Sequence, residues 1–136
     1  DDILGNIRAF EKVSPVLAKA VRQYPHMYYA GQGRVSRAYR DDRSTHQFLD
    51  KIHRLNFGIV LLGIESGSQK ILDAMEKNCR VEWIERACHN LKKHNIRVGA
   101  FWMFGHPGAS MEEEQRSLDV MEGLLQKGLL DDVEPE

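Results

Sequence analysis

A chain of 136 residues, 42% of them hydrophobic, has room for one domain and enough apolar side chains for a core. With 19 Lys+Arg against 20 Asp+Glu the formal net charge is −1, which removes the usual electrostatic case for nucleic-acid or acidic-membrane binding. No apolar run approaches the ~20 residues a membrane helix needs, and two cysteines, Cys79 and Cys88, are too few for a disulfide scaffold and read as reduced thiols of a cytoplasmic protein. The sequence opens on Asp1-Asp2, with neither an initiator methionine nor a signal-like segment, and is expected to be a piece of something larger.

Ile3, Ile7 and Phe10 recur at helical spacing until Ser14-Pro15, where a second helix should begin, with Ser14 as its N-cap and Leu17, Ala20, Val21 and Tyr24 as its buried stripe. Met27 to Val35 reads as a strand, one of whose faces Gly31 and Gly33 leave nearly bare, suiting close approach by another group. Ser36 to Arg43 reads as a loop. A helix capped by Ser44 and Gln47 then buries Phe48, Leu49, Ile52 and Leu55. Phe57 to Ile64 is a continuous apolar run, the mark of a strand buried on both faces.

Beyond the break at Glu65-Ser66-Gly67-Ser68, a short helix carries Ile71, Leu72 and Met75. A longer one carries Ile84, Ala87, Cys88 and Leu91 and ends at His94-Asn95, where Asn suits a left-handed residue. Arg97 to Phe104 is a third strand, ending in Gly105-His106-Pro107-Gly108. Ser110 and Glu113 form a capping box for a last helix with Leu118, Met121 and Leu125 as its core face. Residues 131–136 have no apolar pattern and are expected to fray. Strands alternating with amphipathic helices predict an α/β fold, and three parallel strands make a slice of a (βα) barrel rather than a closed one.

Ligands of parallel α/β folds sit at the C-terminal ends of the strands. After the second strand, period-two alternation puts Ile59, Leu61, Gly63 and Glu65 on one side, so that Gly63 opens space and Glu65 places a carboxylate in it. The competing reading is a carboxylate that only accepts hydrogen bonds from a loop. After the third strand, the glycine turn before a helix would suit a phosphate, but Glu112, Glu113 and Glu114 in the first turn would repel one. A flat neutral group such as a nucleobase fits that turn better, against the alternative of a turn with no ligand. The six histidines show no HxxxH or HxH spacing and no CxxC exists, so no local zinc site is indicated.

The stretch Leu62 to Lys77, LGIESGSQKILDAMEK, resembles the fourth-strand region of radical S-adenosylmethionine enzymes, in particular the group that often carries a cobalamin-binding domain. Val98 to Gly108, VGAFWMFGHPG, is similar to that family's fifth strand and its G-x-P-G turn. Asp1-Asp2 resembles the double aspartate ending its second strand, and Arg34 an arginine on its third. The resemblance implies a partial radical S-adenosylmethionine core over residues 1–130, from the end of a second strand through a fifth helix. It implies S-adenosylmethionine, a [4Fe–4S] cluster and, in that group, cobalamin as cofactors, and a 5′-deoxyadenosyl radical for hydrogen abstraction or group transfer. The partners it implies are a small-molecule substrate and the rest of the parent polypeptide, with no membrane and no nucleic acid.

The resemblance also implies roles for individual residues. Glu65 and Ser66 would lie near the ribose and methionyl part of the cofactor, and Lys77 would meet its carboxylate. Gly105, Pro107 and Gly108 would shape the backbone that receives adenine, and Asp1, Asp2 and Arg34 would belong to the same cofactor site. Departures from the family are Ala109 where Glu is usual, Ser36 where an acidic residue is usual, and the absence of CxxxCxxC. Those three thiolates ligate the cluster, so this chain by itself is expected to be inactive. The other readings are a cluster-free α/β module for an adenine-bearing ligand and a packing fragment without function.

Overall fold

The computed structural model describes residues 3–135, with the side chains of Asp1, Asp2, Pro135 and Glu136 outside the description. Among the described residues four strands run parallel and stand in chain order, β1 (Tyr29–Arg34), β2 (Phe57–Glu65), β3 (Arg97–Trp102) and β4 (Asp132–Pro135). The helices between and around them are α1 (Ile7–Gln23), α2 (Val35–Ala38), α3 (Arg43–Arg54), α4 (Gln69–Ala74), α5 (Val81–Lys93) and α6 (Met111–Gln126). The α/β class with parallel strands and flanking helices is therefore as expected, and the strand count is four rather than three.

The fourth strand corrects the expected fraying of the tail. Asp131 N donates to Val98 O at 2.8 Å and its Oδ2 accepts from Val98 N at 2.8 Å, which seats residues 132–135 beside β3. A short, charged edge strand that ends on proline has no apolar alternation to reveal it.

Three other elements differ from the sequence expectation. Helix α1 runs unbroken through Pro15. A proline at that place leaves the carbonyl four residues earlier, Glu11 O, without its usual donor, and the Ser14 hydroxyl donates to it at 3.0 Å instead. Tyr24, expected inside, is exposed. The N-cap of α3 is Asp42, whose carboxylate accepts from Thr45 N at 2.8 Å, two residues ahead of the expected Ser44. Asp caps as well as Ser and adds a charge matched to the helix dipole. Residues 36–43, read as a loop, begin within the short helix α2, and the buried Asn90 amide donates to the carbonyls of Ala38 and, just past the helix, Arg40 at 2.8 and 3.2 Å.

The expected turn chemistry recurs before each of the last three strands. Asn56, Asn95 and Gly128 all have positive φ, immediately after α3, α5 and α6. Ile96 N donates back to Leu91 O and Leu129 N to Leu124 O, the closing bonds of Schellman caps.

The helices cover one face of the sheet. Val60, Leu62, Ile64, Val98, Ala100 and Trp102 are all 0% exposed and form the centre of the core. The opposite face is only partly covered, so β2 is sealed on one side rather than two. There Gln32, Leu61, Gly99 and Asp132 lie in one register row and Arg34, Gly63, Phe101 and Glu134 in the next. On β1 the bare glycine face is filled from within the chain. A Cβ at Gly31 would sit 2.5 Å from Ile3 Cδ1 and one at Gly33 2.2 Å from Leu4 Cδ1, so both glycines are needed for that approach.

Candidate functional site

At the C-terminal end of β2 the register with β3 shifts between Gly63 and Glu65, and Glu65 adopts φ 67°, a left-handed conformation that a non-glycine residue adopts at a cost. Glu65 O accepts from Met103 N at 2.9 Å, which pins the bulge to the end of β3. The carboxylate folds back over the inner face, where an added Cβ at Gly63 would lie 2.9 Å from Glu65 Oε1 and 3.3 Å from Lys77 Nζ. Gly63 thus opens the space and Glu65 occupies its rim.

Lys77 is delivered there by the end of α4. Glu76 takes φ 52°, Glu76 N donates to Asp73 O at 3.0 Å and Lys77 N to Leu72 O at 3.0 Å, a full Schellman cap built without glycine. Its ammonium donates to Glu65 Oε1, leaving two of its three protons for another acceptor. Glu65 Oε2 is buried and, among the described residues, has no partner. A buried carboxylate oxygen without a donor is costly.

Ser66 sits differently. Its hydroxyl is buried, 2.9 Å from Ser117 Oγ, and accepts from Ser68 N at 3.0 Å, while Gly67 N donates to Ser117 Oγ at 2.9 Å. A Cβ at Gly67 would be 2.8 Å from Ser117 Cα, so α6 docks against this turn at a closeness only glycine permits. That polar docking corrects the orientation expected for α6. Its buried residues are Glu113, Ser117 and Leu124, Met121 packs against the core as expected, and Leu118 and Leu125 are exposed.

A cavity of about 520 Å³ opens at the ends of β1 and β2 and takes in Arg34, Gly63 and Lys77. The Gly105-His106-Pro107-Gly108 turn lies beyond it, after β3. Gly105 and Gly108 have φ 73° and 87° with nothing within 4 Å of an added Cβ, and Gly105 N donates to Glu114 at 3.0 Å. The capping box of α6 is as expected, and its Glu113 also pairs with Lys70 at 3.0 Å. The Lys70 ammonium and the Ser110 backbone N–H hold that carboxyl below its ordinary range. Asp1 and Asp2 lie outside the described residues.

Sequence reasoning missed Arg37 and Arg40, which also line the cavity, because a four-residue helix held by one asparagine has no periodicity to show. It also missed a contact between distant histidines. His46 Nδ1 and His94 Nε2 are 2.8 Å apart, with Asp41 on the other nitrogen of His46 at 2.6 Å and Asp50 on that of His94 at 2.7 Å. Among the described residues no group of three His, Cys, Asp or Glu is placed to hold a metal, and no helix is long and apolar enough to cross a membrane. Cys79 and Cys88 are free and buried, and desolvation pushes their thiols up to about 11 and about 12. Neither is a ready thiolate ligand.

Solved structures share this fold. The cobalamin-dependent S-adenosylmethionine radical enzyme OxsB with aqua-cobalamin bound superposes with a TM-score of 0.67 at 13% identity, over 82% of this chain and 16% of that one. The radical S-adenosylmethionine methyltransferase TsrM from Kitasatospora setae, with cobalamin and a [4Fe–4S] cluster bound, gives 0.69 at 15% identity over 91% and 23%. Coproporphyrinogen III oxidase (HemN) from Escherichia coli, a radical SAM enzyme, gives 0.62 at 12% identity over 88% and 27%. The chain thus spans about a quarter or less of the length of each. These likenesses are of fold, and no curated protein matched the sequence. The family model of the Radical SAM superfamily matches residues 17–121, well over half the chain. The chain belongs to the radical SAM superfamily.

Proposed function

We propose that this chain is the central part, residues 1–130, of a radical S-adenosylmethionine enzyme core and forms one wall of the cofactor site. The observation that carries the reading is the Glu65–Lys77 pair folded over Gly63, with Glu65 Oε2 buried and, among the described residues, unpartnered. S-adenosylmethionine fits these residues, since its ribose hydroxyls are donors for Glu65 and its carboxylate is an acceptor for the remaining protons of Lys77. Arg34, on the same side of the sheet as Gly63, adds a second cation at the cavity wall. Ser66 holds the turn beneath Glu65 through Ser117 and presents backbone to the ligand. Gly105, Pro107 and Gly108 offer an open backbone edge to adenine, and Asp1 and Asp2 are assigned to the methionine amino group or substrate.

When bound and reduced through a [4Fe–4S] cluster, S-adenosylmethionine supplies the radical chemistry of hydrogen abstraction or group transfer. The residues here do not fit the cluster, because both cysteines are buried with raised pKa and CxxxCxxC is absent. Its ligands belong to another part of the parent protein, and the chain alone is inactive. Cobalamin enters by likeness to OxsB and TsrM, and no residue of this chain is assigned to it. Two free thiols agree with a cytoplasmic location.

Calorimetric titration of the chain with S-adenosylmethionine tests the reading. Binding weakened about tenfold or more by Lys77→Ala is expected, and binding indifferent to that substitution overturns it. Formation of 5′-deoxyadenosine by the chain supplied with iron, sulfide and a reductant overturns the inactivity.

A further inference from the structure

The cavity wall holds two cationic side chains that the proposed cofactor does not use. Among the described residues Arg34, Arg37, Arg40 and Lys77 line it together with the carboxylate of Glu76, and Lys77 is already paired with Glu65 at the rim. S-adenosylmethionine brings one carboxylate together with an ammonium and a sulfonium, so it is itself net positive. Lys77 and Arg34 suffice for its carboxylate, which leaves Arg37 and Arg40 without a role toward it.

Arg37 and Arg40 lie three residues apart, on α2 and just beyond its end, and both are exposed. Among the described residues neither guanidinium has a hydrogen bond or an ion pair. Asp42, the carboxylate that feels Arg40, is engaged as the N-cap of α3 through Thr45 N. The backbone that carries both arginines is firmly placed. Ala38 is fully buried, the Asn90 amide grips the carbonyls of Ala38 and Arg40, and Tyr39 stacks on Trp83 with ring centroids 4.2 Å apart. The backbone that carries the two guanidinium groups is therefore fixed, and paired arginines are the side chains that suit a doubly charged oxyanion.

We propose that Arg37 and Arg40 bind the anionic group, phosphate or carboxylate, of the enzyme's substrate, beside the S-adenosylmethionine site. The position next to the cofactor rests on the function proposed above, whereas the arginine site itself does not. The substrate class is then an anionic small molecule, held so that its oxyanion points toward α2 and the rest of it extends over the open sheet face.

The test uses the 136-residue chain, with pyrophosphate and citrate as separate probes so that phosphate and carboxylate recognition are told apart. Calorimetry is expected to show one of the two binding, with affinity falling about tenfold or more in the R37Q/R40Q double variant and declining steeply with added salt. Both side chains are exposed, and circular dichroism checks that the variant is folded. S-adenosylmethionine binding is expected to be unchanged or tighter in R37Q/R40Q and lost in Lys77→Gln. Binding of neither probe overturns the inference, as does binding that survives R37Q/R40Q but disappears in Lys77→Gln. A chain that binds a probe through the arginines but never binds S-adenosylmethionine overturns the cofactor reading and upholds the arginine site.

Discussion

Lys77 Nζ meets Glu65 Oε1 over Gly63, and the missing side chain of Gly63 leaves the room for both. Gly63→Ala places a Cβ against the ends of two flexible side chains rather than against backbone. The fold is expected to survive within about 1 kcal/mol, while the ion pair is displaced and S-adenosylmethionine affinity falls about tenfold. Urea unfolding and calorimetry on the same variant check the two halves separately. Unchanged affinity would mean that the pair does not shape the site.

Gly67 is a different case, because there a Cβ meets Arg116 O and Ser117 Cα, both backbone, at 2.8 Å. Gly67→Ala is expected to cost about 3 kcal/mol, the upper end of overpacking. Ser117→Ala removes the acceptor of the buried Gly67 N–H and the partner of Ser66, for about 1–3 kcal/mol. Denaturant midpoints give both values, and the two substitutions together should cost less than their sum, since each undoes the same docking.

These two glycines mark the limit of what the sequence discloses. Apolar periodicity revealed β2, β3 and the buried faces of α3 and α5, because burial drives those choices locally. The capping box at Ser110 and the left-handed Asn95 were equally visible, being chemistry within a few residues. The face of α6 was not, because a hydroxyl on Ser117 and a bare Gly67, 50 residues apart in sequence, set its rotation. Pro15 misled for a related reason, since the Ser14 hydroxyl repairs the helix it would break. At the site, Glu65 and Lys77 were legible as candidates. Their contact depends on left-handed Glu65 and Glu76, which no residue preference announces.

Asp131 supplies a pH dependence. Burial acts most strongly on it and raises its pKa, but the Lys92 ammonium and the Val98 N–H outweigh burial and leave it below the ordinary 3.8. A carboxyl depressed in the folded state contributes stability that is present above its unfolded pKa and lost as pH falls through the folded one. Asp131 is therefore expected to weaken the seating of β4 from just below pH 4 downward, with full strength at neutral pH. Asp131→Asn should lose stability at pH 7 and show a flatter acid limb. Thermal unfolding from pH 7 to 2.5 in both proteins measures this, and parallel curves would remove Asp131 as the cause.

The histidine contact ties two helices together. Asp41 and Asp50 hold the outer nitrogens of His46 and His94, whose inner nitrogens stand 2.8 Å apart. A double-mutant cycle with His46→Ala and His94→Ala is expected to return a coupling of about 1 kcal/mol, an ordinary hydrogen bond at a partly exposed place. Additive losses would dissolve the link between α3 and the end of α5.

The chain order of the strands, β1-β2-β3-β4 with every pairing parallel, has a consequence for where any ligand can go. A doubly wound sheet reverses its order partway, and the reversal opens a crevice between helices that head off to opposite sides. A sheet wound in one direction never reverses, so its connections keep to the outside and no such crevice forms. The face opposite the helices is what is left for chemistry, and Gly63 and Gly99 both lie on it.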